Sequence, residues 1–236
     1  MSDFFKECFN CKETQCTIIS DKESGIQTAK ESLKQNRAQL ERYTRAYPKF
    51  VWTLKPFPLI EEPLVAKLMA KAGQAADVGP MAAVAGVLAD LAVKDMVADG
   101  CKVAVVENGG EVSAVSNVPI DVAFVAGDEP LSRQFGFRLT EFPFGVATSS
   151  GRFSHALSFG DADAATVFCS EAGLADAAAT AVCNVVKGDD PAKAVEAGLG
   201  VAKLIPGVKG VLILYKHCVG TWGKTPQIVK VNSTSV

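Results

Sequence analysis

Apolar positions recur at helical spacing from Ser24 to about Tyr47, with Ile26, Leu33, Leu40 and Tyr43 falling on one side. This predicts an amphipathic helix that Pro48 closes. Residues 1–14 show no such period and read as a loose cap, followed by a short strand over Thr17–Ser20. Residues 49–63 hold Pro56, Pro58 and Pro63 and are expected to be extended. A helix follows Pro63, because proline suits the first helical position. Gly79-Pro80 opens another, which ends at Gly100, a good C-cap residue. Lys102–Glu107 and Glu111–Val115 predict strands joined through Asn108-Gly109-Gly110, a strong hairpin signal. Ile120–Ala126, Phe135–Phe142, Val208–Tyr215 and Gln227–Val231 predict further strands, and Ala164–Cys169, apolar and β-branched, a buried one. Ser170 is a natural N-cap for a helix ending near Lys187, ahead of Gly188. Asp190-Pro191 starts one more helix by the same logic. Hairpins mixed with helices indicate an α+β fold, with mixed or antiparallel sheets packed against helices. Ala-Asp segments at 85–90 and 172–180 hint at two related halves.

The chain has 236 residues, 48% of them hydrophobic, which fits a single domain over 1–236 or two closely packed halves. A net charge of -2 and a pI near 5.8 argue against nucleic-acid binding. Lysines and arginines are enriched before Phe50, but interleaved acids make that stretch a solvated helix face. No apolar run reaches the roughly 20 residues that span a bilayer. The N-terminal MSDFFKECFNCKETQC lacks a basic region followed by an apolar core, so no signal peptide and no membrane are expected, and the cytoplasm is the default location. Seven cysteines in such a chain are expected to be reduced thiols.

Candidate chemistry concentrates between Gly145 and Asn184. The small-polar loop Thr148-Ser149-Ser150-Gly151 offers hydroxyls and amides that could cradle phosphate, or is an ordinary turn. His155 follows, one of two histidines, read either as a phosphate contact or general acid or as a histidine bonded to nearby backbone. His217 has no motif around it and is left structural. An alanine-rich helix then carries Asp176 and Thr180, four residues apart and so on one face. A carboxylate beside a hydroxyl suits Mg²⁺, whose other positions go to water and substrate phosphates; the alternative is a face that merely meets solvent. Gly109-Gly110 is either a plain hairpin turn or a place where backbone approaches a ligand. Cys8, Cys11 and Cys16 form a CxxC-x4-C cluster, one ligand short of a structural zinc or iron–sulfur site. Cys169 and Cys183 flank the candidate site and read as small buried hydrophobes.

The phrases VGPMAAVAG, VENGG and TSSG…SH…FG, in this order, resemble the ApbE-like superfamily, whose best-known members are Mg²⁺-dependent FAD:protein FMN transferases. The resemblance runs from about Pro48 to Val231 and is closer to a compact cytoplasmic branch of archaea and anaerobic bacteria. Gly86 and Asp90 match a family segment with a Lys-Gly pair followed by an Asp, but Ala85 replaces the lysine. Asn108-Gly109-Gly110-Glu111 resembles the Gly-Gly-acidic turn, and Thr148-Ser149-Ser150-Gly151 the Thr-Ser-Gly loop. Ser154-His155 with Ser158-Phe159-Gly160 resembles a shortened Ser-His stretch that lacks its Asp-Pro pair. Ala175-Asp176 with Thr180 matches the metal-binding helix. The resemblance implies a T-fold-related architecture, Mg²⁺ on Asp176 and Thr180, and FAD or FMN as ligand. It implies nucleotide contacts from Asp90, Asn108–Glu111 and Thr148–Gly151, and a catalytic His155. It further implies either FMN-transferase-like chemistry toward a protein acceptor or FAD pyrophosphatase-like cleavage. The missing lysine and Asp-Pro pair weaken the transfer reading and leave Mg²⁺–dinucleotide binding intact. The alternatives are a non-catalytic member and an accessory factor in anaerobic sulfur assimilation, moving sulfide into homocysteine on cysteine thiols with a sulfur-metabolism partner. A single large sheet with little surface charge in its middle fits a homodimer.

Overall fold

Strands that are apolar at every position, not at alternate ones, need cover on both faces. The computed structural model, which describes residues 4–123, 135–151 and 159–230, provides it. In chain order the elements are β1 (Phe5–Cys11), β2 (Thr14–Ser20), α1 (Glu23–Ala46), α2 (Lys49–Trp52), α3 (Leu64–Ala76), a 3-10 turn (Pro80–Ala83), α4 (Val84–Ala98), β3 (Val103–Asn108), β4 (Glu111–Ser116), β5 (Ile120–Ala123), β6 (Phe135–Leu139), β7 (Phe144–Ser149), β8 (Ala164–Cys169), α5 (Ala172–Val185), α6 (Pro191–Leu204), β9 (Gly210–Tyr215), β10 (Cys218–Gly223) and β11 (Gln227–Lys230). Eight strands form one antiparallel sheet in the order β1-β2-β3-β4-β7-β8-β9-β10, and β11-β6-β5 form a second. The fold is α+β with antiparallel sheets, as expected.

The large sheet is the middle layer. Ala104 and Val106 of β3, Ala147 of β7, and Ala165 and Val167 of β8 join one core beneath the helices. Val103, Val105, Val146, Ala164 and Phe168 face the other way, into a second core under the small sheet. Phe137 of the small sheet meets Phe168 edge-on, with ring centroids 4.9 Å apart. This two-sided cover explains why VAVV and AATVFC show no polar alternation.

The chain order is doubled. A hairpin (β1, β2), a run of helices and a second hairpin (β3, β4) are followed by the same sequence of elements in β7, β8, α5, α6, β9 and β10. The two Ala-Asp segments, however, fall on non-equivalent helices. α4 precedes the second hairpin of its half, whereas α5 follows the first hairpin of the other.

Several expectations need correction, and the first is that residues 49–63 are extended, because Lys49–Trp52 forms a short helix. Most of residues 1–14 is not a loose cap, because Phe5–Cys11 pairs along its length with β2. Phe144–Ser149 is a strand where a loop was expected from Thr148, and Cys218–Gly223 is a strand where none was expected. No single helix among the described residues is long and apolar enough to cross a membrane.

Candidate functional site

α4 and α5 cross so that each helix supplies an aspartate to the start of the other. Asp176 Oδ2 accepts the Gly86 N–H of the first turn of α4 at 3.0 Å. Asp90 of α4 accepts the Ala172 N–H on Oδ1 at 2.9 Å and the Gly173 N–H on Oδ2 at 2.8 Å, in the first turn of α5. First-turn amides have no partner within their own helix, and a carboxylate there also meets the positive end of the helix dipole. Ser170 therefore does not cap α5. Glu171 stands at the N-cap with no side-chain bond, and Asp90 does that work from 82 residues away.

Such close approach needs glycine. A Cβ at Gly86 would collide with the Ala172 backbone, one at Gly145 of β7 with the Glu171–Ala172 backbone, and one at Gly173 with the Val87 side chain. At its other end α5 is fixed by Gly160, where a Cβ would strike the Cys183 carbonyl. Gly145 meets the start of α5, while Gly151 lies against Gly160. β7 therefore runs beside α5, and the middle of α5, with Asp176 and Thr180, lies next to Ala147 and Ser149.

Side-chain parity sorts the remaining residues. Val112 and Ala114 face the small sheet, so Glu111 and Ser113 face the helices. Ala104 and Val106 face the helices, and so does Asn108, whose Nδ2 donates to the Ala85 carbonyl at 3.0 Å. Ser113 Oγ donates to Asp90 Oδ1 at 2.7 Å, tying β4 to α4 and α5 together. Gly109 and Gly110 form the β3–β4 turn with φ of +67° and +112°, a region that favours glycine. The Gly110 N–H donates to Glu107 Oε1 at 2.7 Å.

Parity thus puts Asn108, Glu111 and Ser149 on the helix side of the sheet, a floor where Asp176 meets the start of α4, and Thr180 follows Asp176 by one turn of α5. Thr148 is not among them: its hydroxyl bonds Thr166 at 2.8 Å, on the small-sheet side. The Ser150 hydroxyl turns to the Ala162 carbonyl at 3.4 Å, and the Gly151 N–H donates to the same carbonyl at 3.0 Å. Ser149 Oγ is buried without a hydrogen-bond partner among the described residues, which is costly unless a ligand or ion completes it. His155 lies outside the described residues.

Electrostatics single out two acids. Burial pushes Asp176 up to about 7, against the pull of the Gly86 and Ala85 amides. Burial first, and then the Asp176 charge, drives Glu111 well above the usual carboxylate range. Neither acid has an ion pair among the described residues. Two half-buried carboxylates, both raised by burial and Glu111 also by the Asp176 charge, with a Thr180 hydroxyl one turn along α5 and a buried Ser149 hydroxyl, make a donor set that fits a hard divalent cation such as Mg²⁺. Asp90 is also raised, by burial, although its three hydrogen bonds oppose the shift. Its oxygens are directed at protein donors. The sequence did not signal this clamping role: Asp90 was expected among the nucleotide contacts, and the Ala-Asp segments only hinted at two related halves.

The cysteines do not converge. Cys8 pairs with Thr17, whereas Cys11 and Cys16 lie on the opposite face of the same hairpin. Burial pushes the thiols of Cys16 and Cys169 up to about 12. Among the described residues, no group of three or more His, Cys, Asp or Glu side chains is placed to hold a metal ion.

The fold is similar to that of the Pseudomonas stutzeri flavinyl transferase ApbE in its apo form, with a TM-score of 0.60 at 17% identity over 93% of this chain and 94% of that one. The ApbE protein of Thermotoga maritima gives 0.57 at 12% identity, over 89% and 94%. A UPF0280 protein of Methanosarcina acetivorans is 41% identical over 95% of this chain and 89% of its own length. One of Methanocaldococcus jannaschii is 36% identical over 97% and 95%. The profile of the family described as AbpE bacteria matches residues 7–203, and the chain belongs to that family.

Proposed function

We propose that the protein binds FAD or a related dinucleotide together with Mg²⁺, and that any reaction it performs is attack at the pyrophosphate. The observation that carries this reading is the pairing of Glu111 and Asp176. Two half-buried acids lie close together with no ion-paired cationic side chain among the described residues, the Ser149 hydroxyl is buried on the same side of the sheet, and Thr180 follows Asp176 by one helical turn. Asp176 and Thr180 would hold the cation, with Glu111 close enough to add its charge. When bound, the cation neutralises charge on phosphate oxygens. Gly109 and Gly110 let a ligand reach the backbone at the end of β3, and Asn108 fixes that turn against Ala85. Asp90 acts on this site by clamping the start of α5. His155 would position or protonate a phosphate oxygen. Ala85 leaves the floor without the ammonium group that the ApbE resemblance places there. The site therefore depends more heavily on the cation, and transfer to a protein acceptor is less well supported than binding or cleavage. The thiol-based alternative in sulfur assimilation has weaker support, because only Cys8 is fully exposed.

Titrating FAD into the protein with and without Mg²⁺, following flavin fluorescence and separating products by chromatography, tests the reading. Cation-dependent binding is expected, with FMN and AMP appearing if the pyrophosphate is cleaved. Asp176→Ala should remove the Mg²⁺ dependence. Unchanged binding in that variant would sink the assignment.

A further inference from the structure

Away from that floor, α3 and the helical stretch Pro80–Ala98 meet at a bend of 104°. The crook of this bend, closed by the start of α5 and by Pro206-Gly207, holds a groove of about 800 Å³. That size matches small-molecule sites, which are mostly apolar with a few polar groups that fix orientation. Leu68, Ala72, Leu91, Val115 and Leu174 supply the apolar wall. Leu64 and Val97 continue it at the surface, each 39% exposed. Asp90 and Ser113 lie in the wall, bonded to each other and so turned away from the role of ligand anchor.

Two features select the occupant. Lys71 enters from α3 and Lys94 from α4, both exposed and neither in an ion pair among the described residues. Of the groove's other two charged residues, Asp90 already accepts three hydrogen bonds and Glu171 precedes α5. The groove also lies toward the opposite end of the α4–α5 pair from Glu111. Asp90 meets Ala172 there, whereas Gly86 meets Asp176 about one helical turn, roughly 5 Å, further along.

We propose that this groove is a second binding site, separate from the Glu111–Asp176 floor, for a small amphipathic anion: an apolar body in the crook, with a phosphate or carboxylate head between Lys71 and Lys94. Lysine ammonium groups attract such a head as point charges, while their aliphatic stems extend the apolar wall.

The test is calorimetric titration of the full chain with decyl phosphate, decanol and decyltrimethylammonium. Decyl phosphate should bind with 1:1 stoichiometry and at least tenfold more tightly than the cation, with decanol in between. Lys71→Glu combined with Lys94→Glu, two surface changes checked for an unaltered melting temperature, should cut decyl phosphate affinity at least tenfold and leave decanol near its original value. Saturating FAD with Mg²⁺ should leave decyl phosphate binding unchanged. The proposal is overturned if decyl phosphate does not bind saturably, if the double variant binds it as well as the parent chain, or if FAD displaces it.

Discussion

Asp176 is held near pH 7 by burial, well above the value of about 3.9 that a carboxyl has in an unfolded chain. The folded state therefore holds this proton more tightly than the unfolded one. Its contribution to stability is complete below about pH 4 and is lost as the pH rises to about 7. Glu111 and Asp90 are raised and act in the same direction. In chelator, the urea midpoint should carry a component that falls between pH 4 and 7, and Asp176→Asn should reduce it, directly and by relieving the Asp176 charge on Glu111. If the pH profile is the same in that variant, Asp176 is not its source. Under the proposed function Mg²⁺ would compete with the proton for this carboxylate, so its affinity should rise with pH through about 7 and then level off. At this scale the sequence was informative wherever a residue's role follows from its local neighbours. The candidates Asn108, Glu111, Asp176 and Thr180 come from short motifs, and Ser149 with them. The facing of Thr148 was not legible, because it depends on the parity of a strand whose small, polar end reads as a loop.

α5 begins where it does because of groups far away in the chain, and that limits what any local rule can find. Ser170 has the right chemistry for an N-cap, yet Asp90 from α4 reaches the Ala172 and Gly173 amides first. Asp90→Ala leaves these buried donors and the Ser113 hydroxyl without an acceptor, at a cost of about 1–3 kcal/mol for a lost partner. Chemical denaturation should show that loss, and Mg²⁺-dependent FAD binding should weaken along with it. Gly86→Ala should also be harmful, by roughly 1–3 kcal/mol, because its methyl meets backbone at Ala172 that cannot turn aside. Gly173→Ala meets chiefly the Val87 side chain, which can shift, with the Val87 backbone N at a less severe 3.3 Å, and should be milder. If the two alanine variants prove equally stable, the wedging of α5 is looser than the contacts indicate. α1, α4, the β3–β4 hairpin and the buried β8 were all readable from periodicity, proline and glycine placement, or unbroken apolar runs. β1 was not, because its residues are mostly exposed and it earns strand character only by pairing with β2. β10 was hidden by Gly220 and Gly223 within six residues at the sheet edge.

The large sheet separates two sets of consequences. Phe168 fills the core on the small-sheet side, against Phe137 and Phe144, while the candidate site lies on the helix side. Phe168→Ala should cost about 3–5 kcal/mol, a large share of a typical domain's 5–15 kcal/mol. At low temperature the surviving folded fraction should still bind FAD with Mg²⁺, whereas Asp176→Ala should do the reverse, keeping the fold and losing the ligand. Loss of binding in folded Phe168→Ala protein would mean that the two faces are coupled through the sheet. The α+β class was legible from hairpins mixed with helices. The doubling of hairpin, helices and hairpin was only hinted at, because the two halves share an order of elements more than a pattern of residues.

That doubling places Gly86 and Asp90 in one half and Asp176, Gly145 and Gly173 in the other. The seam between the halves is also the floor of the site. A chimaera joining the first half of this chain to the second half of a distant relative could pair every strand and still bind nothing, if the seam glycines and aspartates were mismatched. These five positions are therefore expected to be inherited as a set, with drift at any one tolerated only when its counterpart across the seam changes in step.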